Sequence, residues 1–552
     1  MNFLRRSLPC LLLLGAATLT VVGDAPGTWG DWPQWGDQGD GTYWNPILPA
    51  DYSDLDCIRV GADYYAISST FQFSPGVVIL HSRDLVNWRI AGHVASDVTQ
   101  IGPEMNWDRM DRYGNGIWAG AIRHHAGKFW VYFGTPQEGF FLSTAENPAG
   151  PWTPLHPVMK AAGWDDCCPF WDDDGQGYFV CTQFAADPVN GKKYNIHLFK
   201  LTSDGRDLVR ESDTIIHQSQ GSEANKLYKI NGLYYHLYSE VKPGEGRVVM
   251  MHRAKNLYGP YETRQLNHAQ REVKEPNQGG LVQTEKGEWF FFTHHGSGSW
   301  EGRAASLLPV TWSDGWPILG APDTNGIGTM VWSSRKPANG FPITVPQTSD
   351  EFDGATLAPQ WEWNYQPRAD KWSLTARPGC LRLQAFRGLD GDNLLKIGNV
   401  LTQRSVRAAA AEVVVRIELG GTADGQHAGL CHFSAARKKE KPAANCASLG
   451  VVQLGGQRVL EYSRDGTFTR GPVVTSGAIW LKSAWGLDGA SRFSFSTDGR
   501  AFTPFGEPYP LAWGSYRGDR IGLFTFNNTA EAGRVDVDWF HYDFTGPHRR
   551  TK

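Results

Sequence analysis

Beyond its first two dozen residues the chain has no apolar run approaching the roughly 20 residues that a spanning helix requires, so no membrane segment is expected. Basic tracts are missing too. A net charge of −4 over 552 residues, with no cluster of lysine and arginine, argues against a nucleic-acid surface. Cysteine is sparse: eight in all, odd in number once Cys10 leaves with an N-terminal leader, and scattered. That excludes a disulfide framework, and no two stand at metal-ligand spacing. Cys431 and Cys446 are the one pair that an oxidising compartment could join. There is no HExxH, no G-x-S-x-G and no glycine-rich phosphate loop, so zinc hydrolysis, serine-nucleophile chemistry and nucleotide binding lack their usual equipment. Helical periodicity is nearly absent.

Aromatic residues and glycine are abundant: 23 Trp, 19 Tyr, 27 Phe and 63 Gly. Aromatics spaced by glycine turns suggest all-β architecture. The start, "MNFLRRSLPCLLLLGAATLTVVGDAPG", sets Arg5 and Arg6 before an apolar stretch and small residues, the pattern of a signal peptide over residues 1–23. The mature protein is therefore expected to be exported, either periplasmic or secreted.

A short pattern recurs five times: a strand, a tight polar or glycine turn, then two adjacent aromatics opening a second strand. The instances are "IRVGADYYAIS", "IRHHAGKFWVYF", "FWDDDGQGYFVC", "LYKINGLYYHLY" and "LVQTEKGEWFFFTHH". Each interval has room for about four short strands, which suggests propeller blades. The expectation is a five-bladed β-propeller over residues 30–338. Its innermost strands converge on one mouth of a central channel. Ten to twelve residues before each aromatic pair stand Asp54, Trp118, Asp166, Glu223 and Gln278. Three carboxylates and a tryptophan are thus in phase on different blades.

Two separated carboxyl groups, one protonated and one ionised, are the minimal equipment for cleaving a glycosidic bond. An inverting enzyme holds them roughly 6.5 to 9.5 Å apart, leaving room for a water. A third carboxylate keeps the acid protonated by like-charge repulsion. The ordinary reading of "PADYSDLD" is a solvated turn, and Asp51, Asp56 and Asp165 compete with the in-phase acids. The register favours Asp54 and Asp166.

These stretches resemble glycoside hydrolase family 43, in its branch of β-xylosidases and α-L-arabinofuranosidases with a C-terminal β-sandwich. "NPILPADYSDLDCIRVGADYYAISSTFQFSPG", "GIWAGAIRHHAGKFWVYF", "GWDDCCPFWDDDGQGYFV", "GSEANKLYKINGLYY" and "EGRAASLLPVTWSDGWPILG" follow in that family's order. The resemblance implies Asp54 as general base, Glu223 as general acid and Asp166 as the carboxylate that tunes it. It implies Phe71 and Trp118 as walls of a sugar pocket, and Arg303 as a guanidinium for sugar hydroxyls and nearby carboxylates. His294 matches an axial histidine that is sometimes linked to a calcium ion through water. The sequence departs from the family where Leu55, Cys167 and Ala224 follow the three acids; proline, proline and glycine are common there.

After the proline-rich "SSRKPANGFPITVPQTS" the texture becomes alternating apolar and polar, as in "AEVVVRIEL" and "RFSFSTDG". This reads as an antiparallel β-sandwich over residues 346–548, and it resembles the lectin-like (concanavalin-like) domain of the same enzymes, in which a loop can close one side of the pocket. Glu351, Asp353 and Asp538 are candidate ligands for a structural calcium ion; the chemistry itself requires no cofactor. The expected partner is an oligosaccharide or polysaccharide. The expected activity is exo-acting, inverting removal of terminal β-D-xylosyl or α-L-arabinofuranosyl residues from xylan or arabinoxylan fragments. The alternatives are an endo-arabinanase and a non-catalytic carbohydrate-binding propeller.

Overall fold

A computed structural model describes residues 29–547, apart from 31, 33, 188–190, 297, 392 and 437–442. The leader read over residues 1–23 lies outside the described residues. Among these, regular structure is all strand, with five single 3-10 turns and no α-helix. Among the described residues no helix is long and apolar enough to cross a membrane.

Residues 56–319 form five four-stranded antiparallel sheets in chain order. Their first strands are Asp56–Val60, Gly120–His125, Trp164–Trp171, Glu223–Ile230 and Pro276–Gln283. Each lies beside the first strand of the next sheet, and the fifth returns to the first. The aromatic pairs open the second strands, each following a tight hairpin. In the fourth sheet the turn is Asn231–Gly232, at φ 50° and 78°. Those are the two positive φ values of a type I′ turn, whose twist matches that of the strands it joins.

Most aromatics serve as mortar between sheets. Tyr65 meets Phe129 at 5.1 Å between ring centres, and Trp130 meets Trp171 at 5.3 Å. Phe170 meets Tyr234 at 6.3 Å, and Tyr235 meets Trp312 at 5.8 Å. Phe292 stacks on Trp88 at 4.8 Å, joining the fifth sheet to the first. Such contacts contribute about 0.5–1.5 kcal/mol each beyond the area they bury. The ring is also tied by the chain's early segment. Thr42–Trp44 pairs with Ser333–Arg335, and Asn45 donates to the carbonyls of Leu307 and Val331 at 2.9 and 2.8 Å.

The C-terminal part is a sandwich of two eight-stranded sheets. The edge strand of one of them, Phe73–Ser74, belongs to the first propeller sheet's connection and pairs with Trp363 and Asn364. The two parts therefore share backbone hydrogen bonds as well as side-chain contacts. All seven described cysteines are buried and free. Cys431 and Cys446 are not joined.

Candidate active site

Regular pairing in the inner strands breaks where the in-phase residues stand. The register shifts between Asp165 and Cys168, between Glu223 and Lys226, and between Pro276 and Gln278. Such bulges re-aim side chains. Asp54, Asp166 and Ala224 lie in the left-handed region at φ 57°, 52° and 66°. Non-glycine residues rarely adopt that conformation, and it concentrates at functional sites. The result is convergence: Asp54, Trp118, Asp166, Glu223 and Gln278 all line one cavity, together with Phe71, Asp165, Arg303 and Tyr516.

Asp54 is buried and held on both oxygens. Ser69 Oγ donates to its Oδ2 at 2.5 Å, and Arg303 Nη1 stands 3.0 Å from its Oδ1. Its backbone N–H donates to His294 Nδ1 at 2.5 Å, so the imidazole presents its lone pair there. Burial, followed by the positive charge of Arg303, holds the His294 pKa well below its usual value. The neighbouring aspartates face elsewhere. Asp56 accepts from Ile122 N–H at 2.9 Å and from Arg123 Nη1 at 2.6 Å, tying the first sheet to the second. Asp51 points toward the sandwich, where Arg517 Nη2 approaches it at 2.8 Å.

Asp166 Oδ1 accepts from Gln278 Nε2 at 2.7 Å. Burial raises the Asp166 pKa, and the charges of Glu223 and Asp54 raise it further against the opposing pull of Lys226, so that it is pushed up to about 7. Asp165 borders the same cavity. Burial, then the charge of Asp166, raises it well above the usual carboxylate range. Glu223 is half-buried, and its Oε1 lies 3.0 Å from Arg247 Nη1. Arg247 also donates to Ser239 Oγ at 3.0 Å.

Phe71, Trp118 and Tyr516 form the walls. Phe71 and Trp118 are 6.3 Å apart between ring centres, Trp118 and Tyr516 5.9 Å. The Arg303 guanidinium stands 5.2 Å from the Tyr516 ring centre. Tyr516 comes from the sandwich and was not singled out from the sequence, nor were Ser69 and Arg247. The stretch "WGSYRGD", aromatic and glycine-rich between two strands, is the sequence signal that could have marked this loop.

The proposed calcium ligands do not assemble. Glu351 Oε1 meets His541 Nε2 at 2.7 Å, and Asp538 Oδ2 meets Arg416 Nη1 at 2.7 Å. Among the described residues no three His, Cys, Asp or Glu side chains stand close enough to hold a metal. At the axial His294, Nδ1 accepts from the Asp54 N–H, and the positive charge of Arg303 acts on the ring. The fully buried Lys226 ammonium donates to the Gly120 carbonyl at 3.3 Å.

Residues 43–317 match the model of glycosyl hydrolases family 43, and residues 349–543 match that of the β-xylosidase C-terminal concanavalin A-like domain. The chain is 33% identical to a β-xylosidase of Formosa agariphila, over 93% of this chain and 92% of that one. It is 28% identical to a non-reducing-end α-L-arabinofuranosidase of Bacteroides ovatus, over 76% of this chain and 77% of that one. Among solved structures it resembles a family-43 glycoside hydrolase whose active site was engineered to display both endo-xylanase and exo-arabinofuranosidase activity. The TM-score is 0.78 at 26% identity, over 91% of this chain and all of that one.

Proposed function

This chain belongs to glycosyl hydrolase family 43 and is a glycosidase, and from that premise we propose the division of labour in its pocket. Asp54 is the general base, Glu223 the general acid and Asp166 the carboxylate that tunes the acid. The observation that carries this reading is the contrast in partners around one cavity. Asp54 is gripped by a guanidinium and a hydroxyl. Asp166 is buried beside further carboxylates with an amide as its side-chain partner.

In the reaction a water donates a proton to Asp54 as its oxygen attacks the anomeric carbon. The bond from that carbon to the leaving oxygen breaks on the opposite face, and that oxygen takes the Glu223 proton. Attack and departure on opposite faces invert the configuration. Repulsion between Asp166 and Glu223 keeps a proton within this cluster near neutral pH. Arg303, pinned by the Gly296 carbonyl at 3.1 Å, positions Asp54 and offers its remaining donors to sugar hydroxyls.

The substrate is a terminal β-D-xylosyl or α-L-arabinofuranosyl residue on xylan-type oligosaccharides. A pocket walled by Phe71, Trp118 and Tyr516 supports an exo-acting enzyme. An endo-arabinanase requires a groove open at both ends. Binding alone does not account for carboxylates of such different surroundings. The leader at residues 1–23 supports export to the periplasm or beyond the cell.

The test is hydrolysis of 4-nitrophenyl β-D-xylopyranoside and 4-nitrophenyl α-L-arabinofuranoside by wild type and Asp54→Asn. Turnover of either, lost by about 10²–10⁴-fold in the variant, is the expected result, with proton NMR showing the inverted anomer first. Wild-type silence on both would reject the pentose assignment.

A further inference from the structure

The sandwich reaches past the pocket wall to the turn that carries the base. Arg517 is fully buried, yet its guanidinium touches three residues of the propeller. Nη2 lies 2.8 Å from Asp51 Oδ2, Nη1 donates to the Ser69 carbonyl at 3.3 Å, and the group lies over the Phe71 ring, 4.5 Å from its centre. Each contact leads to the base in one step. Asp51 opens the "DYSD" turn that ends in Asp54, and its Oδ1 accepts from the Arg303 N–H at 3.3 Å. Ser69 donates to Asp54 Oδ2, and Phe71 is the wall beside it.

The grip is reinforced. Arg404, also from the sandwich, donates from Nε to the Asp51 carbonyl at 2.7 Å. A Cβ placed on Gly518 would lie 2.4 Å from Gly302 N, so the loop sits directly on the "EGR" segment that presents Arg303. Arg517 is also incompletely satisfied. Among the described residues its Nε has no hydrogen-bond partner, and its approach to Asp51 is an ion pair without hydrogen-bond alignment. Burying such a cation is costly, and an apolar residue would fill the space at less expense. The contacts it makes give a reason for its presence that packing does not.

We propose that Arg517 is a positioning residue for the hydrolytic reaction: from the sandwich domain it holds the Asp51–Asp54 turn, the Ser69 backbone and the Phe71 ring in the geometry that the base requires. The inference rests on Asp54 being the base. On it, docking of the second domain completes the catalytic constellation as well as the pocket wall.

The experiment compares full-length wild type, Arg517→Lys, Arg517→Met, Asp51→Asn and Asp54→Asn on whichever 4-nitrophenyl glycoside the wild type cleaves fastest, with aryl leaving groups of graded pKa. Lysine keeps the charge beside Asp51 but loses the flat fork that lies on Phe71 and reaches Ser69. The expected result is a kcat about 10- to 100-fold lower in Arg517→Lys, with KM little changed. The loss should be equal for good and poor leaving groups, and the acidic limb of the kcat/KM profile should be displaced. Asp51→Asn should reproduce this, and the double variant should lose less than the product of the singles. A folded Arg517→Lys, melting like wild type, with kcat within twofold of it would overturn the proposal. So would a loss concentrated on poor leaving groups, which would place the effect at Glu223. Should Arg517→Met not fold, Arg517→Lys and Asp51→Asn decide. A fully active Asp54→Asn would instead reject the assignment of the base, a separate failure.

Discussion

Arg303 and Asp54 stand 249 residues apart in the chain and 3.0 Å apart in the fold, Nη1 against Oδ1, with Arg303 Nε anchored on the Gly296 carbonyl. One guanidinium fixes the carboxylate and lies against the Tyr516 ring with the same planar group. Lysine cannot do both, because an ammonium is a point charge without a fork. Arg303→Lys should therefore lose about 2 kcal/mol of transition-state stabilisation, roughly 30-fold in kcat/KM, while circular dichroism stays unchanged. An unimpaired Arg303→Lys would remove Arg303 from the site.

Glu223 predicts a different signature. Its task is to protonate the departing oxygen, so Glu223→Ala should lose least on substrates whose leaving groups need little protonation, such as 2,4-dinitrophenol. On xylobiose the loss should fall in the range of about 10²–10⁴-fold expected for a general acid. Equal losses across a leaving-group series would contradict its role.

Asp166 links catalysis to stability. Its folded pKa of about 7 exceeds the roughly 3.9 of an unfolded aspartate. Below about pH 4 both states hold the proton and ionisation carries no penalty. Between pH 4 and 7 the unfolded chain releases that proton and the folded Asp166–Glu223 pair retains one between them, so stability falls as pH rises. Above pH 7 the penalty is constant. Asp166→Asn has no proton to lose. Its melting temperature relative to wild type should climb from pH 4 to 7 and then level off, while its activity falls. A difference that stays flat from pH 4 to 8 would deny that burial beside Glu223 and Asp54 raises the Asp166 pKa.

Much of this site was legible because a propeller repeats. A strand–turn–aromatic unit sets its own register, and counting back from Tyr64, Tyr178 and Tyr234 arrives at Asp54, Asp166 and Glu223, which the fold brings to one cavity. The same register kept Asp56 apart, and its role proves to be that of a tie between sheets. Tyr516 and Arg517 obey no repeat. They sit on one loop of a different domain, and their meaning lies in docking contacts that leave no periodic trace. The calcium candidates were illegible for a related reason: Glu351, Asp353 and Asp538 suit the ion as residue types, but type says nothing of the His541 and Arg416 side chains that engage two of them.

Tyr516 tests what the second domain contributes to the pocket. Its ring stands at φ 63° on the loop, edge-on to Trp118 and 5.2 Å from the Arg303 guanidinium. Removing it opens the wall toward solvent and uncovers Arg303, but leaves the carboxylates and their partners in place. Tyr516→Ala should therefore raise KM more than it lowers kcat, with a combined loss of about 1–2 kcal/mol, near the cation–π and aromatic contacts forfeited. That is about tenfold in kcat/KM, and the melting temperature should scarcely move because the ring is not part of the core. Steady-state kinetics on the aryl glycoside and a thermal melt check both halves. The split between KM and kcat is what separates Tyr516 from Arg517 on the next residue of the same loop: one bounds the sugar, the other holds the base. A Tyr516→Ala variant that loses kcat at constant KM would mean that the loop acts as a single positioning unit and that its aromatic wall is incidental.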